Sequence, residues 1–362
     1  SSVHFVSFFI GLELLTVSLY VLIAYCRSRP SDIEAGIKYF IPAATSSAFL
    51  LFGMALVYAQ TGTMLLPELA RSAAPGGAPV PMLVLFGVGM IVTAIGFKLA
   101  LAPFHLWAAD VYEGSPDPVT ALIATASKGA VFALLFRYFA TLGIQGREPF
   151  FFILSAVAIL TMFVGNLLAL LQNNLKRLLA YSSISHMGYL LVAFLAGGPS
   201  GETAAMFYLL AYFITTLGAF GVLVALSGEE QGLRTIEDCR GLGLRRPFLG
   251  VVLALMMFSL AGIPLTAGFL AKFYAVLAGV QSRLWALVLV LVVNSVIGLF
   301  YYLRVVGVLY EPIPPASQGT ASVQRSYLST GLLTVLALLL IGLGVYPSPA
   351  IHLIESLRST LR

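Results

Sequence analysis

Ten long runs of apolar residues, separated by short polar connections, fill most of the sequence. A helix needs about 20 mostly apolar residues to cross the hydrocarbon core of a bilayer. Strands of a membrane barrel would instead alternate apolar and polar residues over about ten positions. The pattern therefore predicts an all-α, polytopic transmembrane helical bundle of about ten helices, over residues 4–25, 39–60, 82–107, 118–141, 149–171, 177–196, 203–226, 248–279, 284–310 and 327–346.

The last sixteen residues, PSPAIHLIESLRSTLR, have a different pattern. Four apolar side chains recur there at helical spacing, with charged residues between them: Ile351, Ile354, Leu357 and Leu361. Such spacing is typical of a short helix that lies in a membrane interface. A frayed tail is an equally good interpretation, so the sequence leaves both open.

The composition argues against a soluble protein. Hydrophobic residues make up 59% of the 362 residues and charged residues only 10%, whereas about a quarter of an ordinary soluble domain is charged. The net charge of +5 could indicate a nucleic-acid partner, but the basic residues are scattered among the connections, where they set membrane topology. We therefore expect a lipid bilayer around the chain and no nucleic acid.

The basic residues also predict an orientation, because cytoplasmic connections carry an excess of Lys and Arg. Connections after odd-numbered segments hold eleven: Arg27, Arg29, Lys38, Lys176, Arg177, Arg234, Arg240, Arg245, Arg246, Arg304 and Arg325. The opposite side holds six: Arg71, Arg137, Arg147, Arg283, Arg358 and Arg362. In a bacterium this difference predicts an inner (plasma) membrane protein with both ends of the chain outside.

The two cysteines indicate that redox chemistry takes place elsewhere. Cys26 and Cys239 are isolated and form no CxxC pair, haem attachment sequence or iron–sulfur spacing. The sequence predicts neither a metal site nor a cofactor in this chain.

Once the residues counted with the connections and the segment ends are set aside, six titratable side chains remain inside the predicted segments: Glu13, Lys98, Lys128, Lys272, His105 and His186. Because an ionised group at the centre of a bilayer costs at least about 2.5–3.5 kcal/mol, each is a candidate functional residue. Ordinary explanations exist for four. Lys98 and Lys272 could extend to the lipid headgroups, Glu13 could form a structural ion pair, and His186 could be a neutral, hydrogen-bonded core residue.

His186 belongs to a polar stripe. Ser182, Ser185, His186 and Tyr189 follow the i, i+3, i+4, i+7 spacing of one helix face. We expect this face to point towards the interior of the bundle.

The stretch GFKLALAPFHLW, residues 96–107, predicts an interrupted helix. Pro103 has no N–H and its ring pushes against the Leu99 carbonyl, which is next to Lys98. Such breaks are tolerated at membrane depth where they face protein or a wet cavity. We expect the opening to hold water beside Lys98, with His105 on its far side.

A second interruption is predicted in SLAGIPLTAGFLAKFY, where Pro264 frees the Leu260 carbonyl and Lys272 follows. Paired broken segments indicate a transporter built from inverted repeats. We predict residues 1–146 as the remainder of the first inverted repeat, with about four helices, residues 147–310 as the second inverted repeat, and residues 311–362 as the last transmembrane helix and the C-terminal tail.

A mechanism follows from these residue types. A buried lysine changes between holding and releasing a proton when a neighbouring charge moves. A row of Glu13, Lys98, Lys128 and Lys272, with the two histidines and bound water between them, is therefore a hypothetical lateral proton wire.

Three long stretches carry a family resemblance: FKLALAPFHLWAADVYEGSPDPVTALIATASKGA (97–130), NNLKRLLAYSSISHMGYLL (173–191) and AGIPLTAGFLAKFY (261–274). They resemble the antiporter-like membrane subunits of respiratory complex I, the NADH:quinone oxidoreductase. Residues 33–62 resemble the subunit N branch in particular, and the similarity covers almost the whole chain.

The resemblance implies a role for each candidate. It pairs Glu13 with Lys98 of the first broken helix, makes Lys128 the central relay, and makes Lys272 the residue that passes protons towards the outside. It places His105 and His186 in the same polar axis. Lys176 and Arg177 also fit the motif, but their place at a helix start favours a structural or lipid-headgroup role.

The resemblance also implies an antiporter-like fold of fourteen transmembrane helices. The ten predicted here begin where the fifth would be, so we expect the first four to be absent from this sequence. Binding sites for NADH, flavin, iron–sulfur centres and quinone are expected in other subunits. The implied partners are other membrane subunits of complex I, protons and internal water.

Three functions remain open. The leading one is a proton-translocating, non-redox subunit of the NADH:quinone oxidoreductase, coupled to quinone reduction in other subunits. The alternative is a subunit of an Mrp-type cation/proton antiporter, which shares the motifs. The third is a purely structural membrane scaffold.

Overall fold

The computed structural model describes residues 4–66, 68–69, 81–142, 148–227, 234–312 and 327–361. Four of the arginines that predict the orientation lie outside the described residues: Arg71, Arg147, Arg325 and Arg362.

The described chain is helical, as predicted, and its only extended pairings are two isolated bridges. The helices of the first half are α1 (Phe5–Ile23), α2 (Pro30–Thr61), α3 (Met82–Leu99), α4 (Leu106–Gly114), α5 (Asp117–Leu122), α6 (Lys128–Leu142), α7 (Glu148–Leu170) and α8 (Leu175–Ala196). A π-helical turn, Ile123–Ser127, joins α5 to α6. The second half contains α9 (Gly198–Leu226), α10 (Leu242–Arg245), α11 (Pro247–Ala261), α12 (Ala267–Gln281), α13 (Trp285–Leu309), α14 (Tyr327–Val345) and α15 (Ser348–Leu361).

All ten predicted segments correspond to helices, and within the described residues nine spans are long and apolar enough to cross a bilayer. One boundary differs markedly, because α2 begins at Pro30 rather than at residue 39. Proline is favoured at the first position of a helix, and Lys38 forms an ion pair with Glu34 one turn away, at 2.7 Å. Hydropathy alone misses this polar first part of the helix.

The first break divides the predicted 82–107 helix into two helices rather than bending it. The α3 helix ends at Leu99, and Ala100 takes a left-handed conformation with φ of 57°. The amide of Leu101 donates to the Gly96 carbonyl at 2.8 Å, which closes the helix end. The chain resumes as α4 only at Leu106, so the broken helix near Pro103 is present as predicted.

The second break divides the predicted 248–279 segment into α11 and α12, which are both too short to cross a bilayer alone. Gly262, with φ of 84°, ends α11. Thr266 begins α12, because its side chain accepts a hydrogen bond from the Phe269 amide at 3.4 Å. The broken helix near Pro264 is therefore present as predicted.

Helix α8 is at the centre of the bundle. Every residue from 182 to 195 is buried, so the stripe that contains His186 points inward, as predicted. The other faces of α8 are buried as well, against α4, α7, α9 and α12. One helix therefore presents polar groups to several neighbours at once.

The end of the chain forms a helix, α15, so the prediction of a frayed tail was wrong. Ala350 and Ile354 are buried, and α15 contacts α9. Leu353 and Leu357 are 60% and 51% exposed, which leaves an apolar surface on the outer face of the helix.

Two glycines allow α2 and α3 to touch through their backbones. A Cβ atom at Gly53 would lie 2.5 Å from the Gly87 carbonyl oxygen, whereas a Cβ at Gly89 would meet nothing within 4 Å. We expect Gly53→Ala to destabilise the protein by about 1–3 kcal/mol through overpacking. The control Gly89→Ala should be neutral, or stabilising by up to about 1 kcal/mol. Thermal unfolding in one detergent measures both, and equal effects would contradict the close crossing.

Candidate functional site

The first polar cluster joins α1, α2 and α3 around Lys98, which is only 7% exposed. The Lys98 ammonium donates to the Thr16 hydroxyl at 2.5 Å and lies 3.9 Å from the Glu13 carboxylate. Ser47 on α2 donates a short hydrogen bond to the same carboxylate oxygen. Because Lys98 points into the bundle, the interpretation that it extends to the headgroups is wrong.

His105 lies in the first break and is 8% exposed. Its Nδ1 atom has no hydrogen-bond partner among the described residues. At this break the Trp107 indole N–H donates to the Phe97 carbonyl at 3.0 Å. In the described residues, therefore, no hydrogen bond connects His105 to Lys98 across the break.

The second cluster surrounds Lys128, which is 1% exposed and follows the π-helical turn. Its ammonium donates to the Ser183 hydroxyl at 2.5 Å and lies 5.7 Å from the centre of the Tyr112 ring. The Tyr212 hydroxyl donates to the same Ser183 oxygen at 2.8 Å. Within the described residues Lys128 forms no ion pair, so all its polar partners are neutral.

His186 stands between two tyrosine hydroxyls. Its Nδ1 lies 2.8 Å from the Tyr208 hydroxyl, and its Nε2 lies 3.2 Å from that of Tyr302. Tyr302 is also hydrogen-bonded to Ser182. Since each ring nitrogen faces a group that can both donate and accept, either neutral tautomer is satisfied. The environment fits a hydrogen-bonded histidine, which is the ordinary interpretation, and it also fits a proton relay.

The third cluster holds Lys272 against the end of the second break. Its ammonium donates to the carbonyls of Leu260 and Ala261, both at 2.9 Å, and to the Ser295 hydroxyl at 3.0 Å. It also lies 5.3 Å from the centre of the Tyr189 ring. The Leu260 carbonyl is the one that Pro264 is predicted to free. Lys272 is buried, so the interpretation that it extends to the headgroups is also wrong.

Sequence reasoning missed two buried, hydrogen-bonded asparagine side chains next to this cluster, Asn166 and Asn294. The Asn166 side chain donates to the Tyr189 hydroxyl at 2.9 Å and to the Asn294 amide oxygen at 3.2 Å, and it accepts from Tyr301 at 2.9 Å. Asn166 and Asn294 are both 0% exposed. The signal was present, because each is an isolated amide within an apolar run, FVGNLLAL and LVVNSVIG.

Lys176 and Arg177 hold the start of α8 against α4 and α5. Lys176 forms an ion pair with Asp117 at 2.6 Å and donates to the Ser115 carbonyl at 2.8 Å. Arg177 pairs with Asp110 at 2.6 Å and with Glu113 at 2.9 Å. These contacts support the structural role that was favoured for both residues.

The structure brings the predicted residues together in groups rather than in one continuous chain. One group is centred on α8, which carries His186 and contacts both Lys128 and Lys272. The other group consists of Glu13 and Lys98, with Thr16 of α1 and Ser47 of α2. In the described residues no direct hydrogen bond joins the two parts. These residues also contain no group of three or more His, Cys, Asp or Glu side chains that could hold a metal ion.

Comparison with known proteins gives a consistent result. The profile described as "NADH:quinone oxidoreductase/Mrp antiporter, TM" matches residues 2–298. A protein of Nitrosospira multiformis named NADH-quinone oxidoreductase subunit N is 51% identical over 98% of this chain and 73% of its own length. One of the same name from Ectopseudomonas mendocina is 49% identical, over 98% and 72% of the two chains.

Solved structures resemble the fold closely. A chain of respiratory complex I from Thermus thermophilus has a TM-score of 0.82 and 34% identity, over 97% of this chain and 75% of its own. A chain of an archaeal membrane-bound sulfane sulfur reductase has a TM-score of 0.89 and 28% identity, over 99% of this chain and 72% of its own. A chain of the Mrp complex from Dietzia has a TM-score of 0.86 and 23% identity, over 97% of this chain and 73% of its own. This match shows similarity of fold alone.

The different partners of Lys128 and Lys98 predict opposite effects on stability. Lys128 has only neutral partners in the described residues, so Lys128→Met should stabilise the protein by about 1–4 kcal/mol, because it removes a buried charge. Lys98→Met should be neutral or destabilising, because it leaves Glu13 without its ammonium partner. Thermal unfolding in one detergent tests the pair. A Lys128→Met protein that unfolds below wild type would contradict the prediction.

Proposed function

The chain belongs to the NADH:quinone oxidoreductase/Mrp antiporter transmembrane family, and we propose that it is a proton-translocating membrane subunit, of the subunit N type, of an NADH:quinone oxidoreductase. The identity with bacterial proteins of that name supports this assignment. In this proposal NADH, flavin, iron–sulfur centres and quinone bind to other subunits. This chain contacts neighbouring membrane subunits and the inner-membrane lipid, with the orientation that its basic connections predict.

The observation that carries the proposal is the burial of three lysines on the interior of one bundle. Each is at most 7% exposed. An ammonium group kept from water is costly unless it is paired, and Lys128 and Lys272 are hydrogen-bonded only to neutral oxygens among the described residues. Groups of this kind are retained in membrane proteins where protons or ions move.

The proposed path runs from Glu13 and Lys98 to Lys128 and then to Lys272. On α8, His186 comes between Ser183, which accepts from Lys128, and Tyr189, whose ring lies beside Lys272, and it is hydrogen-bonded to Tyr208 and Tyr302. Internal water would bridge the part between Lys98 and Lys128, where no direct hydrogen bond is described. His105, which has an unpaired nitrogen in a break, is proposed as a contact for such water.

The proposal predicts that single lysine variants lose pumping. In the assembled complex reconstituted in vesicles, Lys98→Ala or Lys128→Ala should lower NADH-driven proton uptake by at least about 100-fold, the usual scale for a lost proton-transfer group. Lys38→Ala is the matched control, because Lys38 is 45% exposed and pairs with Glu34 near the surface. Normal pumping by both interior variants, with assembly intact, would favour a structural scaffold.

The Mrp-type antiporter is the second candidate, because the family includes both classes. The two functions differ in the phenotype of a strain that lacks this chain. Our proposal predicts loss of NADH-driven proton pumping with unaltered sodium tolerance. Sodium sensitivity with full NADH-driven pumping would assign the chain to the antiporter class instead.

A further inference from the structure

The Lys98 ammonium and the Glu13 carboxylate form an open pair, in which the two groups face each other without direct contact. Its nitrogen and oxygen are 3.9 Å apart, whereas a direct charge-assisted hydrogen bond measures about 2.7–2.9 Å. Two hydroxyl groups take the positions that a direct contact would use. Thr16 bonds to the lysine and Ser47 bonds to the carboxylate.

The Thr16 hydroxyl is oriented by its own helix. It donates its single proton to the Leu12 carbonyl at 2.7 Å, so its lone pairs are left to accept from Lys98 at 2.5 Å. Thr16 is 6% exposed, so a water molecule from bulk solvent does not readily replace it.

The Ser47 hydroxyl has one proton and two acceptors. It faces the Glu13 carboxylate across the α1–α2 contact and the Ala43 carbonyl of its own helix at 3.0 Å. When it donates to Glu13 it satisfies the carboxylate without Lys98. When it donates to Ala43, Glu13 loses this partner and the attraction towards Lys98 increases.

We propose that Thr16 and Ser47 are positioning residues that keep the Lys98–Glu13 pair from closing, so that Lys98 can exchange its proton along the path. This inference rests on the proposed function. Coulomb attraction falls with distance, so separation from about 2.8 Å to the observed value weakens the pair by about 30%. A closed pair would retain the proton on Lys98.

The hydroxyl groups are tested in the assembled complex with nearly isosteric variants. Thr16→Val and Ser47→Ala should each lower the rate of NADH-driven proton uptake by about two- to tenfold, the scale of one hydrogen bond. Thr16→Ser, which keeps the hydroxyl, should restore the wild-type rate. The double variant should be no slower than the slower single variant, because both substitutions let the same pair close.

The chain offers matched controls on the same two helices. The Ser18 hydroxyl on α1 donates to the Leu14 carbonyl, and the Thr45 hydroxyl on α2 donates to that of Ile41. Both residues are exposed. Ser18→Ala and Thr45→Val therefore remove equivalent hydroxyls away from the pair, and we expect them to pump at the wild-type rate.

Infrared spectroscopy gives a readout that a merely structural role would not change. A difference spectrum between a protein that carries Glu13 and the same protein with Glu13→Gln isolates the carboxylate bands of Glu13. We expect these bands to shift between wild type and Thr16→Val, because the carboxylate moves into direct contact with the ammonium. Slower pumping with unchanged Glu13 bands would overturn the inference.

The experiments distinguish a failure of the proposed function from a failure of the positioning role. If Lys98→Ala pumps normally, the proposed function itself is wrong at this site. If Lys98→Ala abolishes pumping while Thr16→Val and Ser47→Ala pump like wild type, only the positioning role is wrong.

Discussion

The structure depends on the rule that backbone polar groups away from water must find partners within the protein. At the second break, Gly262 ends α11 and leaves the carbonyls of Leu260 and Ala261 at the end of a short helix. Lys272 donates to both. One interaction therefore satisfies the broken backbone and holds an ammonium group in the interior, so a lysine and a helix break at this depth stabilise each other.

Helix α8 extends this arrangement to the rest of the site. Its polar side chains point to different neighbours: Ser183 accepts from Lys128, His186 faces two tyrosines, and the Tyr189 ring lies beside Lys272. Such a helix could not face lipid, because too many of its groups need partners. Close packing against α7, where a Cβ at Gly165 would lie 2.5 Å from the Ser185 amide nitrogen, keeps it in the centre.

The sequence predicts the helices and the buried charges well, because hydropathy reports the spans and a lysine within an apolar run is conspicuous. It does not predict what those charges touch. The Thr16 and Ser47 hydroxyls and the Tyr208 ring come from separate helices, and ordinary Ser, Thr and Tyr residues in an apolar run give little signal. The first break shows a second limit, because Pro103 predicts the interruption but not the helix end at Leu99, where Ala100 is left-handed.

Similar sequence signals produce different electrostatic environments at the two breaks. Lys98 precedes its break and turns to α1, where it meets Thr16 and a carboxylate. Lys272 follows its break and turns back to carbonyl oxygens, with no carboxylate partner among the described residues. Lys98 therefore has a full negative charge 3.9 Å away, whereas Lys272 has two neutral carbonyl dipoles in direct contact at 2.9 Å. The two ends of the lysine row are therefore not equivalent, and this asymmetry is a property of the side-chain partners rather than of the helices that carry them.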